Sequence, residues 1–217
     1  KISDISHLLL LMRALESLYL GTKNTIIFEL FSLLIYRFSL LYFILNSELT
    51  VAQIGVGYWG PNLLRNLVSN DRCHVKLVVD LSADRRDFVK SLYPDVKVSG
   101  DSEEVFSDPA IDAVVISTPV QSHFDLSVKA LKAGKHLLVE KPMATSTEDI
   151  DQIGAISEDN NLVAMAGHTF LYNPAVRAVK EIIDSGKLGD IRYIYSQRVN
   201  LGRIRSDVDA LWNLAPH

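Results

Sequence analysis

Thr50-Val51-Ala52-Gln53-Ile54-Gly55-Val56-Gly57-Tyr58-Trp59-Gly60-Pro61 runs from a β-like stretch through three glycines into a helix-like one. A turn of this kind brings backbone N–H groups at a helix start close to a phosphate, provided no side chain lies where the phosphate passes. Gly55, Gly57 and Gly60 meet that condition, with Tyr58 and Trp59 between them. The spacing alone says little; a strand before it and a helix after it make it a dinucleotide-binding signal. Pro61 suits a first helical turn, where its missing N–H is not needed.

Outward from this loop, short Val/Ile-rich runs alternate with longer amphipathic ones, the pattern of successive βαβ units. Strands are predicted at Thr50–Gly55, Val75–Asp80, Ala113–Ser117, His136–Glu140 and Leu162–Ala166, with a weaker one at Lys97–Ser99. Helices are predicted at Pro61–Ser69, Ala83–Leu92, Glu103–Phe106, Ser122–Ala133 and Thr147–Asn160. The runs Val75-Lys76-Leu77-Val78-Val79 and Ala113-Val114-Val115-Ile116 are nearly continuous in apolar character, as expected of strands covered on both faces. The fold class is therefore α/β: a Rossmann, doubly wound parallel sheet over residues 50–170. After Asn173-Pro174, a helix through Asp184, a turn at Gly186 to Gly189 and a strand Arg192–Val199 open a second, α+β domain over 171–217. That domain reads as the truncated start of one, and the chain as a fragment at both ends.

Chemistry gathers at the predicted strand ends. Asp80 follows the glycine loop by about 20 residues, where a carboxylate accepts ribose hydroxyls and favours NAD. Arg85 and Arg86 come next and keep NADP open through its 2′-phosphate, although such charges are more often simply solvated. Ser117-Thr118-Pro119 ends the fourth strand at the edge where ligands bind in open α/β sheets. His123, four residues on, is either a cofactor contact or a helix-capping or surface histidine. Glu140-Lys141-Pro142 ends the next strand, which aims Lys141 at the nicotinamide end of the crevice. Burial there tends to lower a lysine pKa and eases proton exchange with an alcohol.

The 217 residues carry 22 Lys and Arg against 26 Asp and Glu, a net charge of −4. This balance supplies no basic surface for nucleic acid and points to a small-molecule partner. Cys73 is the lone cysteine, so neither an intrachain disulfide nor a cysteine-based metal cluster can form, which suits a reducing cytoplasm. No metal is expected. Residues 1–49 break from the rest, with no Val, no Pro, one Ala and one Gly. They read as an extension foreign to the domain that follows. The alternative is a membrane anchor through residues 26–45, although Glu29 and Arg37 would each cost about 2.5–3.5 kcal/mol near a helix centre.

The order of these elements, Gly55 to Gly60, a strand-ending Asp80, Ser117-Thr118-Pro119 with His123, then Val139-Glu140-Lys141-Pro142-Met143-Ala144, resembles the glucose-fructose oxidoreductase and inositol dehydrogenase family (Gfo/Idh/MocA) over residues 50–217. The resemblance implies an NAD(P)-dependent sugar oxidoreductase, a homo-oligomer when full length. It also implies a catalytic Lys141 and a cis peptide bond before Pro142. Its second catalytic motif, an Asp with a His four residues later, corresponds to Asn213 and His217. His217 matches and would be the general base; Asn213 departs, and an amide cannot share a proton as a carboxylate does. A non-catalytic dinucleotide-binding module is the alternative that Asn213 favours. The run Gly167 to Pro174, with His168, Tyr172 and Asn173, and the later Arg198, Arg203 and Arg205, resemble members acting on nucleotide-linked amino sugars. There an Arg fork would suit a diphosphate or a uronate carboxylate.

Overall fold

The computed structural model of the chain describes residues 48–197. Six strands form one sheet: β1 (Leu49–Ile54), β2 (Cys73–Val79), β3 (Lys97–Ser99), β4 (Ala113–Ile116), β5 (His136–Val139) and β6 (Ala164–Ala166). Their order is β3-β2-β1-β4-β5-β6, and every neighbouring pair is parallel. This is the doubly wound Rossmann arrangement, in which the chain reverses direction between β1 and β4 and opens a crevice there. Because the strands are parallel, their carboxyl ends all emerge at one edge.

The helices are α1 (Gly60–Val68), α2 (Ala83–Leu92), α3 (Glu103–Ser107), α4 (His123–Lys132), α5 (Thr147–Asp159) and α6 (Pro174–Asp184), with short 3₁₀ turns at Val120–Ser122 and Thr169–Tyr172. Alternation along the strands divides the apolar residues into two clusters. Ala52, Ile54, Leu77, Val79, Val114 and Ile116 pack with Ala130 and Leu131 of α4 and Ile153 of α5. Val75 and Val78 pack with Leu64 of α1 and Val89 of α2. Each fully buried aliphatic side chain contributes about 1.5–3 kcal/mol. The near-continuous apolar runs are thus explained by cover on both faces.

Sequence and structure differ at a few boundaries. β1 begins at Leu49, whose N–H donates to Arg72 O at 2.8 Å. β6 begins at Ala164 rather than Leu162, because α5 ends through Asn161 at φ 54 and the Leu162 N–H is taken by Ser157 O. The strand expected at Arg192–Val199 does not form over its described part: residues 192–197 have no regular structure, and Tyr193, Ile194 and Tyr195 are exposed. A strand needs a ladder partner, and this segment finds none among the described residues. Among those residues, no helix is long and apolar enough to cross a membrane; the segment 26–45 lies outside them.

Candidate active site at the carboxyl edge

The glycine loop leaves β1 through Gly55, at φ 91, a backbone conformation that favours glycine. Space is tight there as well: a Cβ on Gly55 would stand 2.8 Å from the Ser117 backbone, and one on Gly60 2.6 Å from Gly55 O. Gly57 is different. A Cβ there meets nothing within 4 Å, so no protein contact accounts for a glycine at this position. A phosphate passing close to the backbone would account for it. This open cradle beside the start of α1 fits a dinucleotide's pyrophosphate. Tyr58 and Trp59 sit at the exposed tip of the loop, and Gly60 starts α1 with Pro61 in its first turn.

The other strand ends close around this loop. Ser117 Oγ donates to Gly55 O at 2.7 Å, locking the end of β4 to the loop. The Asp80 carboxylate accepts the N–H of Val56 at 2.8 Å and that of Ser82 at 2.9 Å. An ionised carboxylate has about four lone-pair positions, so two remain for hydroxyl donors. Arg86 folds back, its guanidinium donating to Asp80 O at 2.7 Å and Leu81 O at 3.0 Å. That use of Arg86, and the existence of a Ser117–Gly55 lock, are not apparent from sequence spacing.

Beyond β4, Thr118 Oγ1 lies 2.7 Å from Ser122 Oγ, and Pro119 O accepts the Ser122 N–H as the 3₁₀ turn begins. His123 is buried. Its Nδ1 lies 2.8 Å from Pro142 O and its Nε2 2.9 Å from Thr118 O. The ring therefore lies between the Ser117–Pro119 loop and the Glu140–Pro142 loop with a backbone carbonyl at each nitrogen, and a ring with one N–H donates to one of them.

The Lys141–Pro142 peptide is cis. Lys141 is half-buried at the end of β5. Burial pushes the Glu140 carboxyl above the ordinary carboxylate range, while the Lys141 N–H, the Lys141 charge and His168 oppose the shift. Gly167 makes room for it: a Cβ there would meet Glu140 Oε1 at 3.2 Å. Glu140, Gly167 and His168 thus meet at the ends of β5 and β6. Tyr172 and Asn173 are exposed. The Tyr172 ring faces Arg177 at 5.6 Å, and Asn173 Oδ1 caps α6 by accepting the Ala175 N–H at 2.9 Å. Arg198, Arg203, Arg205, Asn213 and His217 lie outside the described residues.

A glycine cradle, a carboxylate at the end of β2 and loops from β4 and β5 around one crevice define a dinucleotide-binding Rossmann domain. Residues 49–168 match the model of an oxidoreductase family with an NAD-binding Rossmann fold, GFO_IDH_MocA. The chain belongs to that family.

Among relatives, scyllo-inositol 2-dehydrogenase (NAD(+)) of Bacillus subtilis is 31% identical over 146 residues, covering 67% of this chain and 43% of the relative. A 4-carboxy-2-hydroxymuconate-6-semialdehyde dehydrogenase of Sphingobium sp. is 30% identical over 175 residues, covering 77% and 56% respectively. The crystal structure of KijD10, a 3-ketoreductase from Actinomadura kijaniata in complex with NADP and TDP-benzene, superposes with a TM-score of 0.62 at 25% identity, covering 67% of this chain and 45% of that one. The chain spans about half the length of these relatives.

Proposed function

We propose that the full-length protein is an NAD(P)-dependent oxidoreductase that moves a hydride between a secondary hydroxyl carbon of a sugar or cyclitol and nicotinamide. The observation that carries this reading is the placement of Lys141 on the same sheet edge as the glycine cradle. The inositol dehydrogenase and 3-ketoreductase relatives support a polyol or ketose substrate.

Gly55, Gly57, Gly60 and the start of α1 would hold the pyrophosphate, and Asp80 the adenosine ribose. Ser117, Thr118 and Pro119, with Glu140, would border the nicotinamide end. Held there, a nicotinamide would supply the hydride chemistry. Lys141 holds the reacting hydroxyl and polarises it. His217, carried over from the family resemblance, takes the hydroxyl proton, while Asn213 orients without acting as base. Most of the protein's contribution is alignment and electrostatics.

The finer reading is a nucleotide-linked sugar, such as a UDP-N-acetylhexosamine or its uronate, oxidised at C3. Arg198 and Arg205 would grip its diphosphate or carboxylate, with His168, Tyr172 and Asn173 as further substrate contacts. The nucleotide in the 3-ketoreductase complex supports this reading. The test is reduction of NAD or NADP by the full-length protein across cyclitols, free sugars and nucleoside-diphosphate sugars. Turnover confined to the last class is expected. Turnover of cyclitols alone overturns the nucleotide-sugar reading, and no turnover with any class overturns the oxidoreductase reading.

A further inference from the structure

The glycine loop stands on one buried side chain that takes no part in the chemistry above. Gln53, in the interior of β1, is 0% exposed. Its Nε2 donates to Gly55 O at 2.9 Å and to Gly60 O at 2.9 Å, with Ser117 Oγ at 3.2 Å. An amide nitrogen carries two hydrogens, and the two carbonyls take both. Ser117 Oγ sends its own hydrogen to Gly55 O from the other side. The first and last glycines of the loop are thereby gathered onto one nitrogen. The fit leaves no slack, since a Cβ on Gly60 would come within 3.1 Å of that nitrogen.

The arrangement has a standing cost. Gln53 Oε1 is buried and has no hydrogen-bond partner among the described residues. A side chain serving only to fill the core would be a leucine or valine, with no polar atom to desolvate. The compensating use lies in where the carbonyls point. The Gly60 carbonyl opens α1 and so points along the helix, away from the loop's mouth, whatever Gln53 does. The Gly55 carbonyl lies outside any helix, and turned toward an arriving pyrophosphate it would repel it. Held on the amide and on Ser117 Oγ, it is removed from that path. The peptide after Gly55 is then wholly engaged within the protein, because its N–H belongs to Asp80. The peptide after Gly60 has no N–H at all, since Pro61 follows.

We infer that Gln53 is a positioning residue for the dinucleotide's pyrophosphate: it ties the Gly55 carbonyl beneath the loop, against the start of α1, and leaves the outward face to N–H donors. This rests on the reading that the loop binds a dinucleotide. The test uses the full-length protein with Gln53→Met, which keeps the side-chain volume but lacks the donors, and Gln53→Glu, whose buried carboxyl takes up a proton and keeps a single donor. The probes are NADH, ADP and adenosine.

In Gln53→Met, affinity for NADH and ADP should fall by about tenfold or more, and that for adenosine should stay within about twofold. The Michaelis constant for NAD should rise by the same factor with kcat nearly unchanged. Gln53→Glu, with one donor left, should lose less than Gln53→Met. Unchanged NADH affinity in a folded Gln53→Met protein overturns the inference. So does an equal loss for adenosine, because a merely structural role weakens every ligand alike. Failure of the wild-type protein to bind NADH or NADPH overturns the underlying cofactor reading as well. Should neither variant fold, the wild-type Gln53 side-chain amide resonances decide. A shift with ADP and none with adenosine supports the inference, and no shift with ADP overturns it.

Discussion

The Asp80 carboxylate accepts the N–H of Val56 at 2.8 Å, so the acid at the end of β2 holds the glycine loop itself. With Ser82 on its other oxygen, Asp80 couples cofactor recognition to loop geometry. Asp80→Ala should therefore weaken NADH binding by about tenfold or more, charge-assisted hydrogen bonds being the strong ones. NADPH binding should fall less, because its 2′-phosphate no longer meets a carboxylate. Fluorescence titration with both cofactors checks this, and an unchanged NADH to NADPH ratio would contradict it.

The three glycines should separate in their effects. Gly60→Ala forces a Cβ within 2.6 Å of Gly55 O and should cost about 1–3 kcal/mol of stability. Gly55→Ala adds strain at φ 91 to a clash with the Ser117 backbone, and should cost at least as much. Gly57→Ala enters open space, so its denaturation midpoint should stay that of the wild type while NADH affinity falls. Equal destabilisation by all three would show that Gly57 serves packing rather than a ligand.

Much of this was legible in the chain. The loop, the strand-ending acids and the apolar runs carry their own physical signals, and β1 to β5 form within a residue or two of their expected places. Gln53 was not legible, because a polar residue in a strand interior gives no sign of which atoms it meets; only the folded loop brings Gly55 O and Gly60 O to it. His123 left two readings open for the same reason. The strand expected at Arg192–Val199 rested on composition, and composition cannot supply the neighbouring strand that makes a ladder.

His123 and Ser127 sit one turn apart on α4 and should behave oppositely. His123→Phe leaves Thr118 O and Pro142 O without the ring nitrogens they face, and a buried group left unpaired costs about 1–3 kcal/mol. Ser127→Ala removes a buried hydroxyl that has no partner among the described residues and should be neutral or stabilising. Chemical denaturation of both variants tests the pair. Loss of stability in Ser127→Ala equal to that in His123→Phe would contradict the assignment of His123 as the joint between the two loops.

Glu140 gives a pH signature. Burial raises its carboxyl pKa in the folded protein, so the native state holds the proton more tightly than the unfolded chain. Its contribution to stability must then fall as pH rises from the unfolded value, about 4.3, through the raised folded value, and stay low above it. Glu140→Gln removes this term. The melting temperature of the variant relative to wild type should therefore climb as pH rises from about 4 to 7. A difference that is flat or that declines with pH would contradict the assignment.

In the full-length protein, Lys141→Ala should reduce kcat by at least about a hundredfold, within the range for removing a preorganised group that polarises the reacting oxygen, while NADH affinity stays within about twofold of wild type. Turnover that survives the substitution, with the cofactor bound as before, would contradict the placement of the reacting hydroxyl at the end of β5.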